Sequence, residues 1–104
     1  MSDCVLVLTT MPDDGRADEL ARTLIDERLA ACVNVHGAMM STYRWKAKVE
    51  CGAERQLVIK TTRARLGALE SRLHALHPYE LPEFVVIEGS ASAAYDSWVH
   101  GATA

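Results

Sequence analysis

Apolar residues run without interruption from Cys4 to Leu8, with Val at alternate positions, before Thr9-Thr10-Met11-Pro12 breaks the run. That is the pattern of a strand covered on both faces, expected over roughly residues 3 to 10. Asp13 and Asp14 then offer N-caps, and Ala17, Leu20, Ala21, Leu24, Ile25 and Leu29 share one face at helical spacing. Arg16, Glu19, Arg22, Asp26 and Glu27 fall largely opposite, so the first helix is the clearest element of the chain. From Ala31 to Trp45 the period changes to two, interrupted at Gly37-Ala38, which predicts a long strand with a bulge or bend. Arg55 to Thr61 carries Leu57, Val58 and Ile59 and reads as its partner. The hairpin between them turns either near Lys46-Ala47-Lys48 or near Cys51-Gly52.

Thr62 is placed to cap a second helix in which Leu66, Leu69, Leu73 and Leu76 recur at spacings of three and four. Pro78 ends it and forces His77 toward an extended conformation. Phe84 to Ile87 reads as another doubly buried strand, and Ser90 to His100 as a last short helix with Tyr95, Trp98 and Val99 on one face. With no linker and no repeat, residues 1-104 form a single domain of order β-α-β-β-α-β plus a terminal helix. This is the ferredoxin-like α+β plan, whose two main helices cover one face of an antiparallel sheet. The hairpin strands exceed the usual ~five or six residues and carry Tyr43 and Trp45 away from the core strands, which fits pairing with another subunit.

Charge narrows the partners. The chain has 11 Lys and Arg against 14 Asp and Glu, net -3, and the basic residues are scattered. Nucleic acid is therefore not expected as a partner, because phosphate binding needs clustered cations. No apolar run approaches the roughly 18 residues a membrane span needs, and the start carries no basic n-region, so a cytoplasmic protein without membrane association is expected. Cys4, Cys32 and Cys51 lack C-x-x-C spacing and argue against a disulfide framework or structural zinc site. A reducing compartment fits them, with Cys4 and Cys32 as small core residues in strands.

The run His77-Pro78-Tyr79-Glu80-Leu81-Pro82-Glu83 packs two prolines, an imidazole, a phenol and two carboxylates into seven positions. A restricted backbone presents polar groups rigidly, as a binding site requires. A tight turn whose carboxylates merely cap backbone amides would use the same residues. On the neighbouring strand, Lys60 shares side-chain parity with Glu54. The pair reads either as an ion pair between strands or subunits or as part of an anion-recognising cleft. Trp45 and Trp98 could wall such a cleft, or Trp98 could simply pack helix to sheet.

Five blocks of the chain resemble the CutA family, the divalent-cation-tolerance proteins. They are Leu29-Ala30-Ala31-Cys32-Val33-Asn34, Ser41-x-Tyr43-x-Trp45, Glu54 with Ile59-Lys60-Thr61, His77-Pro78-Tyr79-Glu80-x-Pro82-Glu83, and Tyr95-x-x-Trp98. The resemblance implies a homotrimer similar in architecture to the PII signalling proteins, with long hairpin strands joining edges between subunits. It favours a turn near Ala47, where many relatives carry Gly.

It also implies a link to copper and other divalent cations. Relatives proposed to bind copper carry Cys and His where this chain has Thr9 and Leu76, so only His77 of that set remains. A lone imidazole needs Glu83, a methionine or a neighbouring subunit to complete a copper site. His36, His74 and His100 lie in different elements, and adjacent Met39 and Met40 point to opposite faces of a strand. No Ser or Cys sits in a recognisable nucleophile signature, and no phosphate-binding glycine motif is present.

The reading that follows is a homotrimeric, non-enzymatic binding or regulatory protein linked to divalent-cation tolerance. Its ligand, a metal ion or a small anion, would sit in a subunit cleft lined by Lys60, Glu54, Trp45, His77, Glu83 and Trp98. The alternative is a structural or partner-docking trimer without a small-molecule ligand.

Overall fold

The computed structural model describes residues 2–104. Its frame is the antiparallel ladder between β1 (Cys4–Pro12) and β4 (Lys48–Thr62), which runs from Cys4 opposite Thr62 to Pro12 opposite Glu54. β5 (Val85–Glu88) joins the free edge of β1 over Val5 to Leu8, and β2 (Cys32–Val35) joins the other edge of β4, giving the order β2-β4-β1-β5. β4 continues past this sheet for about half its length. There it pairs only with β3 (Met39–Trp45), whose register runs from Met39 opposite Glu54, the last residue of β4 also paired with β1, to Trp45 opposite Lys48. β2 and β3 thus follow one edge of β4, separated at His36 to Ala38 as the Gly37 interruption predicts.

Alternation along β1 and β4 decides which face is covered. Val7 and Met11 of β1, with Leu57 and Ile59 of β4, are buried against Ala17, Leu20 and Leu24 of α1 (Arg16–Asp26) and Leu69 and Leu73 of α2 (Leu66–Leu76). On the opposite face Leu6, Leu8 and Val58 are only partly buried, so β1 is half-covered there, against the expectation of two buried faces. Cys4 is buried and Cys32 partly so, while Cys51 on the hairpin is exposed.

Several boundaries moved for identifiable reasons. The N-cap of α1 is Gly15, at φ 92°, and neither aspartate takes that position. Asp14 accepts the Arg16 amide and pairs with its guanidinium, and Asp13 holds Arg55 at 2.7 Å. Thr62 precedes a 3₁₀ turn, Arg63–Arg65, without capping it through its side chain. Pro78 does end α2, and His77 is extended at φ -78°, ψ 135°. α3 (Ala93–Ala102) starts later than expected because the Ser92 hydroxyl accepts the Tyr95 amide. Of its predicted apolar face only Val99 is buried, and Trp98 is 50% exposed.

β5 differs most. Val85, Val86 and Ile87 are 46, 39 and 43% exposed, because β5 is an edge strand that no helix covers within the chain. The hairpin gives the molecule extents of 44 × 24 × 24 Å and a radius of gyration of 14.2 Å. A compact chain of this length would have a radius of about 13 Å.

The hairpin turn is Lys46-Ala47, with φ 49° and 66°. Two successive left-handed residues match the right-handed twist of the flanking strands, a geometry for which Asn-Gly is usual. A Cβ in that region is sterically costly. Ala47→Gly is expected to stabilise the protein by about 1 kcal/mol, measured as a higher urea midpoint at unchanged m-value.

Candidate functional site

β5 stops pairing opposite Leu8, and the run from His77 to Glu83 takes over beyond it. The run starts at the end of α2, on the helix-covered face, and Glu83 reaches Gln56, whose parity puts it on the open face. It therefore wraps the edge of β1.

A set of hydrogen bonds anchors it. The His77 amide donates to the Leu73 carbonyl at 2.9 Å. Its ring Nε2 lies 2.7 Å from the Thr10 carbonyl, while Nδ1 accepts the Tyr79 amide at 3.1 Å. Nε2 must therefore carry the proton and donate to Thr10. The Tyr79 hydroxyl donates to Glu54 Oε2 at 2.6 Å, and Gln56 Nε2 donates to Glu83 at 3.0 Å and to the Thr9 carbonyl at 2.6 Å. The rings of His77 and Tyr79 pack at 4.7 Å.

Burial reinforces these protonation states. Loss of solvent is the main reason the His77 pKa lies below the usual imidazole value, and it outweighs the Thr10 hydrogen bond, which acts in the other direction. Burial also dominates at Tyr79, with the Glu54 carboxylate adding to it, and raises the phenol well above its ordinary range. The phenol therefore stays a donor. Glu54 itself is only 9% exposed.

Between the hairpin and this run lies a cleft of about 820 Å³. Its walls include Tyr43, Trp45 and Tyr79, with the carboxylates of Glu54, Glu80 and Glu83, and no described Lys, Arg or His lines it. The volume is that of a small-molecule site rather than of a bare ion.

The six residues singled out from sequence divide between four places. Trp45, Glu54 and Glu83 line the cleft. His77 is buried behind it and holds the backbone of β1 and of Tyr79. Lys60 is six residues from Glu54 on β4, about 20 Å at strand rise, and lines a separate hollow of about 190 Å³ with Cys4, Ile87 and Tyr95. Lys60 and Glu54 thus share parity but form neither an ion pair nor a common cleft within one chain. Trp98 packs on Tyr95 at 5.4 Å, on α3. Gln56 and Tyr43 are additions to the sequence candidates, while Tyr79 and Glu80 belong to the run from His77 to Glu83 without having been singled out within it. Gln56 was within reach of the sequence, since it stands two residues from Glu54 on the same strand face.

The family model for the CutA1 divalent ion tolerance protein matches residues 5–102. The chain belongs to the CutA1 family. The Divalent-cation tolerance protein CutA of Thermus thermophilus is 39% identical over 95 residues, covering 90% of this chain and 92% of that protein. The chloroplastic Protein CutA of Arabidopsis thaliana is 33% identical over 100 residues, 95% of this chain and 55% of that one. The crystal structure of CutA from Xylella fastidiosa superposes with a TM-score of 0.93 at 41% identity, covering 99% of this chain and 100% of that one. The name of the Arabidopsis relative thus assigns that protein to the chloroplast. No helix among the described residues is long and apolar enough to cross a membrane.

A divalent ion, as the CutA1 name invites, can be tested against the donors of one chain. Both ring nitrogens of His77 are already engaged, so the folded ring offers no free lone pair. Thr9 is buried on the core side with a hydroxyl that has no hydrogen-bond partner, and Leu76 is an exposed apolar residue. Among the described residues no group of three or more His, Cys, Asp or Glu could hold a metal ion. Within a single chain the described residues do not gather a metal site, and both nitrogens of the His77 ring are taken up by hydrogen bonds.

Two outcomes follow. Tyr79→Phe removes a donor from a buried carboxylate and is expected to destabilise by about 1.5–3 kcal/mol, read by denaturant unfolding. Because the unfolded imidazole takes up protons more readily than the folded one, the stability contributed by neutral His77 is present above the ordinary value of ~6.5. It should be lost as pH falls through that value and level off below the folded pKa. His77→Gln should flatten this slope between pH 7.5 and 5; an unchanged slope would assign it to other groups.

Proposed function

We propose that this protein is a homotrimeric, non-enzymatic binding and regulatory protein, cytoplasmic and built of one domain over residues 1-104. In this reading it acts in divalent-cation tolerance through a ligand held in the cleft at Trp45, Glu54 and Glu83, which neighbouring subunits complete. The observation that carries the assembly is the outer edge of β5, where Val85, Val86 and Ile87 are exposed on a strand with an unpaired edge. An exposed apolar edge is a template for strand pairing unless something covers it. The half-buried Leu6, Leu8 and Val58 on the open sheet face, and Tyr95 and Trp98 on α3, extend the same surface. The projecting hairpin is long enough to reach a neighbouring subunit, and Lys60 and Trp98 would join the cleft only across such a contact.

A binding role accords with how the polar groups are used. Glu54, Glu83 and His77 are committed to Tyr79, Gln56 and Thr10, which fixes the walls of the cleft rather than activating a nucleophile. Among the described residues no Ser or Thr hydroxyl and no Cys thiol hydrogen-bonds to a histidine ring, the pairing that acyl-transfer chemistry begins with. The sign of the lining favours a positively charged ligand over the anion that Lys60 invites.

Sedimentation tests the assembly: the native protein is expected at three times the 11.4 kDa chain mass, and Val86→Glu is expected to release monomers. Native protein sedimenting as a monomer would end this reading. Titration of the intact trimer with copper, zinc and organic ions separates a binding protein from a docking trimer, for which no heat would be seen with any of them.

A further inference from the structure

One ammonium group stands beside the walls of the cleft. Lys46, the first residue of the hairpin turn, sets its Nζ 5.6 Å from the centre of the Trp45 ring and 3.7 Å from Glu80 Oε2. Trp45 and Glu80 are both walls of the cleft, whereas Lys46 itself is not. The left-handed backbone at Lys46 and Ala47 fixes where this side chain starts. An aromatic face opposed to a carboxylate is the arrangement that recognises organic cations, because the ring quadrupole and the anion both attract a weakly hydrated positive head. Both groups of this ion pair are largely exposed, at 71 and 74% of their side chains, so the contact is weak enough to be displaced. Deeper in the cleft, Glu54 and Glu83 supply further negative charge, and the rings of Tyr43 and Tyr79 supply apolar wall.

We infer that the ligand of this cleft is an organic amine or quaternary ammonium compound, whose charged head displaces Lys46 Nζ from between Trp45 and Glu80. A bare divalent ion is a poorer match. It wants several converging donors at short range, and the carboxylates here are spread over a space of about 820 Å³ with two of them already hydrogen-bonded. An alkylammonium ion fills such a space with its chain and needs only one or two charge contacts. Lys46 then acts as a tethered competitor that occupies the rim until a ligand arrives. The inference rests on the reading of this cleft as a ligand site.

The test uses the native protein, with binding read as heat by titration calorimetry. The protein is titrated at constant ionic strength with n-butylammonium, butan-1-ol, butyrate and copper(II). Saturable heat is expected with n-butylammonium alone. Glu80→Gln should weaken it by about two- to fivefold, and Lys46→Ala should tighten it by a similar factor because the competitor is gone. Equal response to butan-1-ol would reduce the cleft to an apolar hollow, and preference for butyrate would reverse its sign; either overturns the inference. Saturation by copper without response to n-butylammonium overturns the ligand class while leaving a binding cleft in place. An intact trimer silent to all four probes removes the cleft as a site, and a monomer by sedimentation of the same samples removes the assembly on which the wider reading stands.

Discussion

The register between β1 and β4 is the constraint on which the other features depend. Alternation gives each residue of the pair a fixed face, so placing Val7, Met11, Leu57 and Ile59 against the helices sends Glu54, Gln56 and Lys60 to the open side. A slip of one residue would reverse both sets together. The same register sets Glu54 and Gln56 beside the point where β5 stops, and the edge of β1 passes there to the proline-bounded run after α2. Core and cleft are therefore two faces of one pairing.

Much of this was legible in the chain. Period-two and period-3.6 patterning located the strands and the three helices, and the Gly37 interruption and the Pro78 stop fell where expected, but β4 starts at Lys48 instead of Arg55 and the 3₁₀ turn Arg63–Arg65 left no periodic mark. What patterning could not supply was tertiary. Val85, Val86 and Ile87 read as buried because hydrophobicity records the demand for cover and not who provides it, and one chain does not provide it. The N-cap of α1 went to Gly15 since both aspartates found arginines, a choice made by partners 42 residues away in the case of Asp13 and Arg55. Parity along β4 correctly put Lys60 and Glu54 on one face, yet a shared face extends the whole length of a strand. The distance between them, not their side, keeps them apart.

The cleft also shows how a conspicuous segment can be structural in its parts and, in the reading proposed above, functional in its outcome. His77 was the natural ligand candidate, but its donor and its acceptor are both used to tie the run to β1 and to Tyr79. Tyr79 in turn orients Glu54, and Gln56 orients Glu83. Fixing these side chains before any ligand arrives removes the ordering cost that a looser site would meet on binding. The turn reading and the site reading of this run are thus compatible, the first being the means of the second.

β5 has a further consequence for the life of the chain before it is assembled. Phe84-Val85-Val86-Ile87 is short, β-branched and uncharged, the composition that stacks into intermolecular sheets when left bare. Glu83 and Glu88 stand at its two ends, where like charge would oppose such stacking between strands in register. Glu83 would thereby oppose aggregation of a bare subunit with the same carboxylate that borders the cleft.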